Sequence, residues 1–383
     1  MPLLYYKYSN LTLDVLNHLL RSNFAPLQLL LPIGISFYTF QAISYTIDVY
    51  KEHFTKKTNL LDYCFYLTFF PLLIAGPITR AHILIPQINT PQLTNKQLIN
   101  TGLWLIICGM LKKALVADYL AQYNNWIFAD PLAYTGFENL MGVLGFTLQI
   151  YCDFSGYSDM AIGIAALMGF QLPNNFNSPY QSLNLTEFWH RWHITLSQWF
   201  RDYIYIPLGG NRKGELNTYR NTIITMTIAG LWHGASGMFA LWGSLHGIGL
   251  TVHKFACNRG FNKIPNTIYV KIFCWTITFT YISVAWIFFR SHDIHTALNI
   301  IGKITTDLHL IDIQNFINAR LLWIMLLAVS LELHSIRQSD YKWLQQKFIA
   351  LPWIAKLVIF LFVLQLVINL SQNNIQPFIY TQF

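Results

Sequence analysis

The chain has 383 residues, 54% of them hydrophobic and 16% aromatic, with only 11% charged. Soluble domains carry about 25% charged residues, so this composition excludes an ordinary soluble protein and indicates a polytopic membrane protein, its aromatic excess suiting the two bilayer surfaces. The net charge of +8 does not indicate nucleic-acid binding, because the basic residues fall between apolar runs, at Lys51, Lys56, Lys57, Arg212, Lys213, Arg220, Lys254, Arg259 and Lys263. That placement suits topology signals and contact with membrane lipid headgroups.

Apolar runs recur at 27–46, 61–79, 101–120, 138–152, 159–172, 221–232, 237–252, 268–289, 321–333 and 352–370. Several fall short of the roughly 20 residues of a full span, so the pattern predicts about eight to ten membrane-embedded helices, some short or tilted. Glycine and proline interrupt FPLLIAGPIT (70–79), and the runs within 138–172 read as a broken pair; such breaks require protein or a cavity around them. Polar connectors are predicted at 51–60, 86–98, 121–136, 173–187, 209–220 and 256–267, with 291–320 an extramembrane loop holding a short helix. With no internal repeat and no low-complexity linker, residues 1–383 read as a single membrane domain. Cys64, Cys108, Cys152, Cys257 and Cys274 form no C-x-x-C pair and read as small buried hydrophobes, neither disulfides nor nucleophiles. PLLYYKYSN lacks the apolar core and cleavage site of a signal peptide.

The segment NLTEFWHRWHITLSQWFRDYI (184–204) is predicted to be one amphipathic helix. At 100° per residue, Phe188, Trp189, Trp192, Leu196, Trp199, Phe200 and Tyr203 share one arc and Glu187, Arg191, Gln198, Arg201 and Asp202 the other. Such a helix lies at a membrane interface or caps a cavity. Asn184 with Glu187 suggests a capping box, and Glu187 is spaced to pair with Arg191.

Ionisable residues within apolar runs are functional candidates. Asp153 and Asp159, in YCDFSGYSDM, are either a polar kink mating two helices or a substrate contact. His193 is a general-base candidate or an interfacial histidine. His190 and His193 could chelate a metal, but no third ligand accompanies them, so no metal site is expected. IPLGGNRKG (206–214) lacks the spacing of a phosphate-binding loop and reads as a basic surface loop. In AGLWHGAS (229–236), Gly230, Gly234, Ala235 and Ser236 leave room around His233 for a substrate or another backbone. His246, thirteen residues on, is expected several turns away, lining the same cavity or simply packing. No nucleophile elbow is present, which favours direct histidine-assisted transfer over a covalent intermediate.

These stretches together resemble the membrane-bound O-acyltransferase family, in its alginate and peptidoglycan O-acetyltransferase branch. The matching segments are LPIGISFYTFQAISYTIDVY (31–50), FFPLLIAGPITR (69–80), YCDFSGYSDMAIGIAALMGFQLPNNFNSPY (151–180), EFWHRWHITLSQWFRDYIYIPLGG (187–210), AGLWHGAS, WGSLHGIGL (242–250) and PFIYTQF (377–383). The resemblance implies an all-α fold: a ring of tilted, partly broken membrane helices around a central funnel, with interfacial amphipathic helices. It implies His233 as the catalytic residue and His193 as its polar partner, with Trp232, Asp153, Tyr157, Arg191, Trp189, His246 and Asn175 around the substrates. Relatives usually carry further membrane helices before the equivalent of LLYYKYSN, and these are expected to be missing here.

The implied reaction moves an acyl group, expected to be acetyl, from a cytoplasmic thioester to a hydroxyl of an extracytoplasmic polysaccharide or peptidoglycan. No tightly bound cofactor is implied; acetyl-CoA or an acyl carrier would be the co-substrate. A secreted or membrane-anchored acetyltransferase is the expected partner, and the bacterial inner membrane, crossed several times, the expected location. D-alanyl transfer to teichoic acid is an alternative, disfavoured because its enzymes usually lack the IPLGGNRKG stretch. A non-catalytic scaffold and an acyl-group transporter are two others.

Overall fold

The computed structural model describes residues 2–90, 95–261 and 267–371. PFIYTQF and Lys263 lie outside the described residues. Among those described the fold is helical, with no strand. The chain opens with α1 (Pro2–Leu20) and, after an irregular stretch, α2 (Ile35–Tyr50), α3 (Leu60–Thr68) and α4 (Ala81–Ile88). Then follow α5 (Lys96–Met110), a π-helical turn (Leu111–Ala117), α6 (Asp118–Ala129) and the 32-residue α7 (Gly136–Leu167). Two short helices, α8 (Leu185–Arg191) and α9 (Ile194–Phe200), precede the hairpin of α10 (Glu215–His233) and α11 (Gly237–Asn258). The remainder is α12 (Ile268–Arg290), α13 (Ile294–Thr306), α14 (Leu310–Ala319), α15 (Leu321–His334), α16 (Gln338–Ala350) and α17 (Trp353–Ser371).

Side-chain caps set many of the starts. Asn59, Asn95, Thr267 and Asp293 each accept a backbone N–H of the helix they precede. Thr135 and Glu138 form a complete capping box at the head of α7, satisfying donors that a helix start otherwise leaves orphaned.

Four expectations change. First, 138–172 is one continuous helix as far as Leu167. The Ser155–Gly156–Ser158 stretch does not break it, because Gly156 is a packing contact: a Cβ there would lie 2.7 Å from the carbonyl oxygen of Gly109 on α5. Second, 291–320 holds two helices where the sequence predicts a loop with one short helix, with Ala297 and Ile300 of α13 buried and the Gly136 N–H donating to the Asp307 carbonyl. Third, the connector 121–136 is helical up to Ala129, with Leu120, Ala121, Tyr123 and Asn124 buried. Fourth, the run from residue 27 becomes helical only at Ile35, after Pro26, Pro32 and a left-handed Gly34, while α1, outside every apolar run, is a helix.

Only α12 is by itself long and apolar enough to cross a membrane among the described residues. The pairs Ile311–Ala319 with Leu321–His334 and Gln338–Ala350 with Trp353–Asn369 qualify jointly but bend by 91° and 115°. Helix α7 buries much of its surface against protein and carries charge. On α7, Asp159 pairs with Lys112 at 2.7 Å and Asp153 with Lys113 at 2.7 Å. Lys113 also holds Asp118 at 2.8 Å, so the π turn presents two ammonium groups to three carboxylates. Outward faces of α12 and α17 expose Ile272, Phe273, Leu357, Val358 and Phe362, a surface suited to lipid.

The core is aromatic. Trp192, Trp242, Trp286, Tyr123, Phe146, Phe154 and Phe188 are all fully buried there, and α7, α8, α11 and α12 converge on them.

This packing generates two expected outcomes. Lys113→Met would remove the ammonium that Asp153 and Asp118 share, and loss of one partner of a buried pair costs about 3 kcal/mol; a markedly lower unfolding temperature in detergent is expected. By contrast, Gly302 in α13 has open space where a Cβ would sit, so Gly302→Ala is expected to stabilise by about 0.5–1 kcal/mol through helix propensity, read in the same melt.

Candidate active site

The predicted helix 184–204 starts as expected. The Asn184 side chain accepts the Glu187 N–H at 2.8 Å, and Glu187 accepts the N–H of Leu183, one residue before the cap, at 2.9 Å. Glu187 and Arg191 form the i,i+4 pair at 2.8 Å. The helix then stops. Trp192 is extended and His193 takes a left-handed conformation (φ 40°, ψ 55°) before α9 begins. After α9 the chain continues as a π turn, Arg201–Tyr205. One helix is therefore two, with a histidine at the joint.

A non-glycine residue in that region costs about 1–2 kcal/mol, and a dense polar network holds it there. The Ile194 N–H donates to the Asn175 carbonyl and the Asn177 N–H to the Arg191 carbonyl, both at 2.9 Å. The Asn175 side chain lies beneath the joint. Its Nδ2 donates to Ser158 Oγ at 3.3 Å, leaving Oδ1 to accept from Thr195 Oγ1 at 2.9 Å and from His193 Nδ1 at 3.0 Å. Thr195 Oγ1 in turn accepts the Ile78 N–H at 2.9 Å. This pattern assigns the proton of the neutral His193 ring to Nδ1 and leaves the Nε2 lone pair available. His193 is fully buried, and Nε2 has no hydrogen-bond partner among the described residues. The edge of Phe154, from α7, holds the ring at a centroid distance of 4.6 Å.

His233 is the last residue of α10 and is buried. Gly234–Ala235–Ser236 make the turn into α11, and the two helices then touch closely: a Cβ on Gly230 would lie 3.0 Å from the Cα of Gly243. Aromatic rings pack edge-on around the imidazole, Trp232 at 4.9 Å, Trp242 at 5.2 Å and Phe289 at 5.5 Å between centroids. Trp232 also neighbours His193 at 6.4 Å, so one indole lies beside both histidines.

His246, on α11, shares an aromatic neighbour with His233. Trp242 packs against both rings, 4.9 Å from His246. Trp189 Nε1 donates to His246 Nδ1 at 3.3 Å, which leaves the His246 proton on Nε2.

The structure thus gathers His193, His233, His246, Trp189, Trp232 and Asn175. It places three other candidates elsewhere. Asp153 faces Lys113 and the π turn; Arg191 faces Glu187 and the Asn177 carbonyl. Tyr157 is half-buried against the edge of the core. His190 is exposed while His193 is buried, so the two do not share a face. Among the described residues no three His, Cys, Asp or Glu side chains gather to hold a metal. Sequence reasoning missed Ser158, Thr195 and Trp242. Trp242 had a signal, its i,i+4 spacing to His246; the other two had none.

Chemically, the arrangement offers imidazole nitrogens in an aromatic, water-poor setting, with the tautomers of His193 and His246 set by their partners.

Known proteins share this sequence pattern. The sequence profile of the MBOAT, membrane-bound O-acyltransferase family, matches residues 10–291. The chain is 40% identical over 323 residues to the peptidoglycan O-acetyltransferase of Helicobacter pylori, covering 78% of this chain and 61% of that protein. It is 44% identical over 303 residues to the probable alginate O-acetylase AlgI of Pseudomonas putida, again covering 78% and 61%. The teichoic acid D-alanyltransferase of Bacillus subtilis is 26% identical over 279 residues, 69% of each chain. The chain thus spans about three fifths of the length of the two acetyl-transferring relatives. With a family match over residues 10–291 that contains His193 and His233, the chain belongs to the membrane-bound O-acyltransferase family.

Proposed function

We propose that this chain carries the acyl-transfer site of a bacterial membrane O-acetyltransferase acting on an extracytoplasmic polysaccharide or peptidoglycan. The observation that carries the reading is the placement of two buried histidines beside one indole, with His193 fixed by Asn175. The higher identity to acetyl-transferring relatives than to a D-alanyl-transferring one favours acetyl as the group moved.

The donor in this reading is a thioester, acetyl-CoA or an acyl carrier, arriving from the cytoplasm at a funnel within a ring of tilted helices in the inner membrane. His233 removes the proton from the acceptor hydroxyl as its oxygen attacks the thioester carbonyl. The tetrahedral intermediate collapses, the C–S bond breaks, and the imidazolium returns the proton to the thiolate. The products are an O-acetyl ester and a free thiol. Base assistance of this kind contributes about 10² to 10⁴-fold. His193, whose Nδ1–H is held by Asn175 and whose Nε2 can only accept, orients His233 or the acceptor hydroxyl by accepting a hydrogen bond; Trp189, Trp232 and His246 lie beside the reacting groups and exclude water. Asp153, Arg191 and Tyr157 act at one remove, fixing α7 and α8. A secreted or membrane-anchored acetyltransferase completes delivery to the polymer.

The test is the base-labile acetate content of extracellular polysaccharide and peptidoglycan in a strain lacking the gene, complemented by matched membrane levels of wild type or variant. Ester is expected to disappear in the deletion, return with wild type and stay absent with His233→Ala. Full restoration by His233→Ala would remove the catalytic assignment and favour a scaffold. Asn175→Leu, which frees the His193 ring, is expected to lower the ester-forming rate per folded protein about 10²-fold, together with a lower unfolding temperature because buried donors lose their partner.

A further inference from the structure

The carbonyl end of α10 is the end that carries His233, and the helix does not close it. Gly234 is extended (φ −156°, ψ 145°), so it makes no left-handed turn that would cap the last carbonyls. A different helix supplies the donors. Lys7 Nζ, on α1, donates to the carbonyl oxygens of Trp232 at 2.7 Å and His233 at 2.9 Å. Its neighbour Tyr8 donates its hydroxyl to the Leu231 carbonyl at 2.9 Å. Three consecutive carbonyls of the last turn are thus taken by two side chains more than two hundred positions away in the chain.

The choice of lysine has a physical reason. The C-terminus of a helix carries a partial negative charge, which an ammonium offsets. No carboxylate pairs with Lys7 among the described residues. Its charge is met by this helix end and by the Trp232 ring, whose centroid lies 6.0 Å away. An ammonium drawn out of water into half-buried surroundings, with only those partners, is placed for α10. The segment YYKYSN of α1 therefore reaches the last turn of α10, which carries His233.

We propose that Lys7 is a positioning residue for His233, with Tyr8 as its auxiliary: together they fix the last turn of α10 and so the aim of the imidazole. Without them the frayed turn would let the Trp232 and His233 side chains rotate. The substrate-binding walls contributed by α8, α11 and α12 would be untouched. This proposal rests on His233 being the catalytic base.

The experiment uses the full chain in native membrane vesicles, with radiolabelled acetyl-CoA as donor and endogenous polymer as acceptor, and rates normalised to protein that elutes as one folded species. The variants are Lys7→Met, Lys7→Arg, Lys7→Gln, Tyr8→Phe and His233→Ala. Lys7→Met is expected to lose about tenfold or more in kcat with KM for acetyl-CoA changed less than about twofold. Lys7→Arg, which keeps charge and donors, is expected to recover most of the rate. Lys7→Met at wild-type kcat while His233→Ala is dead would overturn this proposal and leave the catalytic reading intact. Activity in His233→Ala would instead overturn the catalytic reading. If Lys7→Met does not fold, Lys7→Gln and Tyr8→Phe decide. A kcat loss at an unchanged unfolding temperature supports positioning; a loss only in proportion to lost folded protein contradicts it.

Discussion

One atom organises the histidine joint. Oδ1 of Asn175 accepts from the His193 ring and the Thr195 hydroxyl, while the amide nitrogen of the same side chain reaches Ser158 on α7. A helix cannot break beside buried aromatic residues unless its freed donors find partners. Asn175, from an irregular stretch of chain, supplies them with its side chain and backbone together. The break turns His193 inward while α8 and α9 still bury the aromatic arc that sequence periodicity assigned to a single helix.

Around this joint the structure meets a general problem of placing histidine in an apolar chain. A histidine facing lipid is expensive, and one packed only by aliphatic side chains has no shaped space for a substrate. Here the imidazoles are enclosed by tryptophan and phenylalanine rings, and one of those indoles, Trp189, also donates to His246. Glycine contacts let α10 and α11 approach closely enough for Trp242 to sit against both His233 and His246. Farther out, Lys112 and Lys113 neutralise the aspartates of α7, so the longest helix can carry charge at depth without turning it toward lipid.

Much of the site was legible because its chemistry is written in rare residues. A histidine among tryptophan and glycine in an apolar run stands out, and RWH and WHG both show that contrast. The joint at His193 was not legible. It occupies two residues, the aromatic spacing continues across it, and no glycine or proline marks it. Serine and glycine at 155–158 signalled a break where the backbone needed only a close contact with α5. Residues 291–320 read as a loop with one short helix because their polarity belongs to the outer faces of α13 and α14, whose inner faces bury Ala297, Ile300 and Phe316. The role of α1 depends on contacts across the whole chain, which no local pattern carries.

The central claim is that the acyl carbon is presented to His233 among these aromatic rings. Affinity labelling with a bromoacetyl-pantetheine thioester tests it most directly, because the bromomethylene carbon lies next to the position of the reacting carbonyl and alkylates the nearest nucleophile. Membranes containing the full chain would be labelled with and without excess acetyl-pantetheine and mapped by peptide mass spectrometry. The account predicts one alkylated imidazole, on the peptide containing His233, suppressed by the acetyl thioester. Labelling confined to exposed side chains, or labelling of His233 that the acetyl thioester does not suppress, would contradict it.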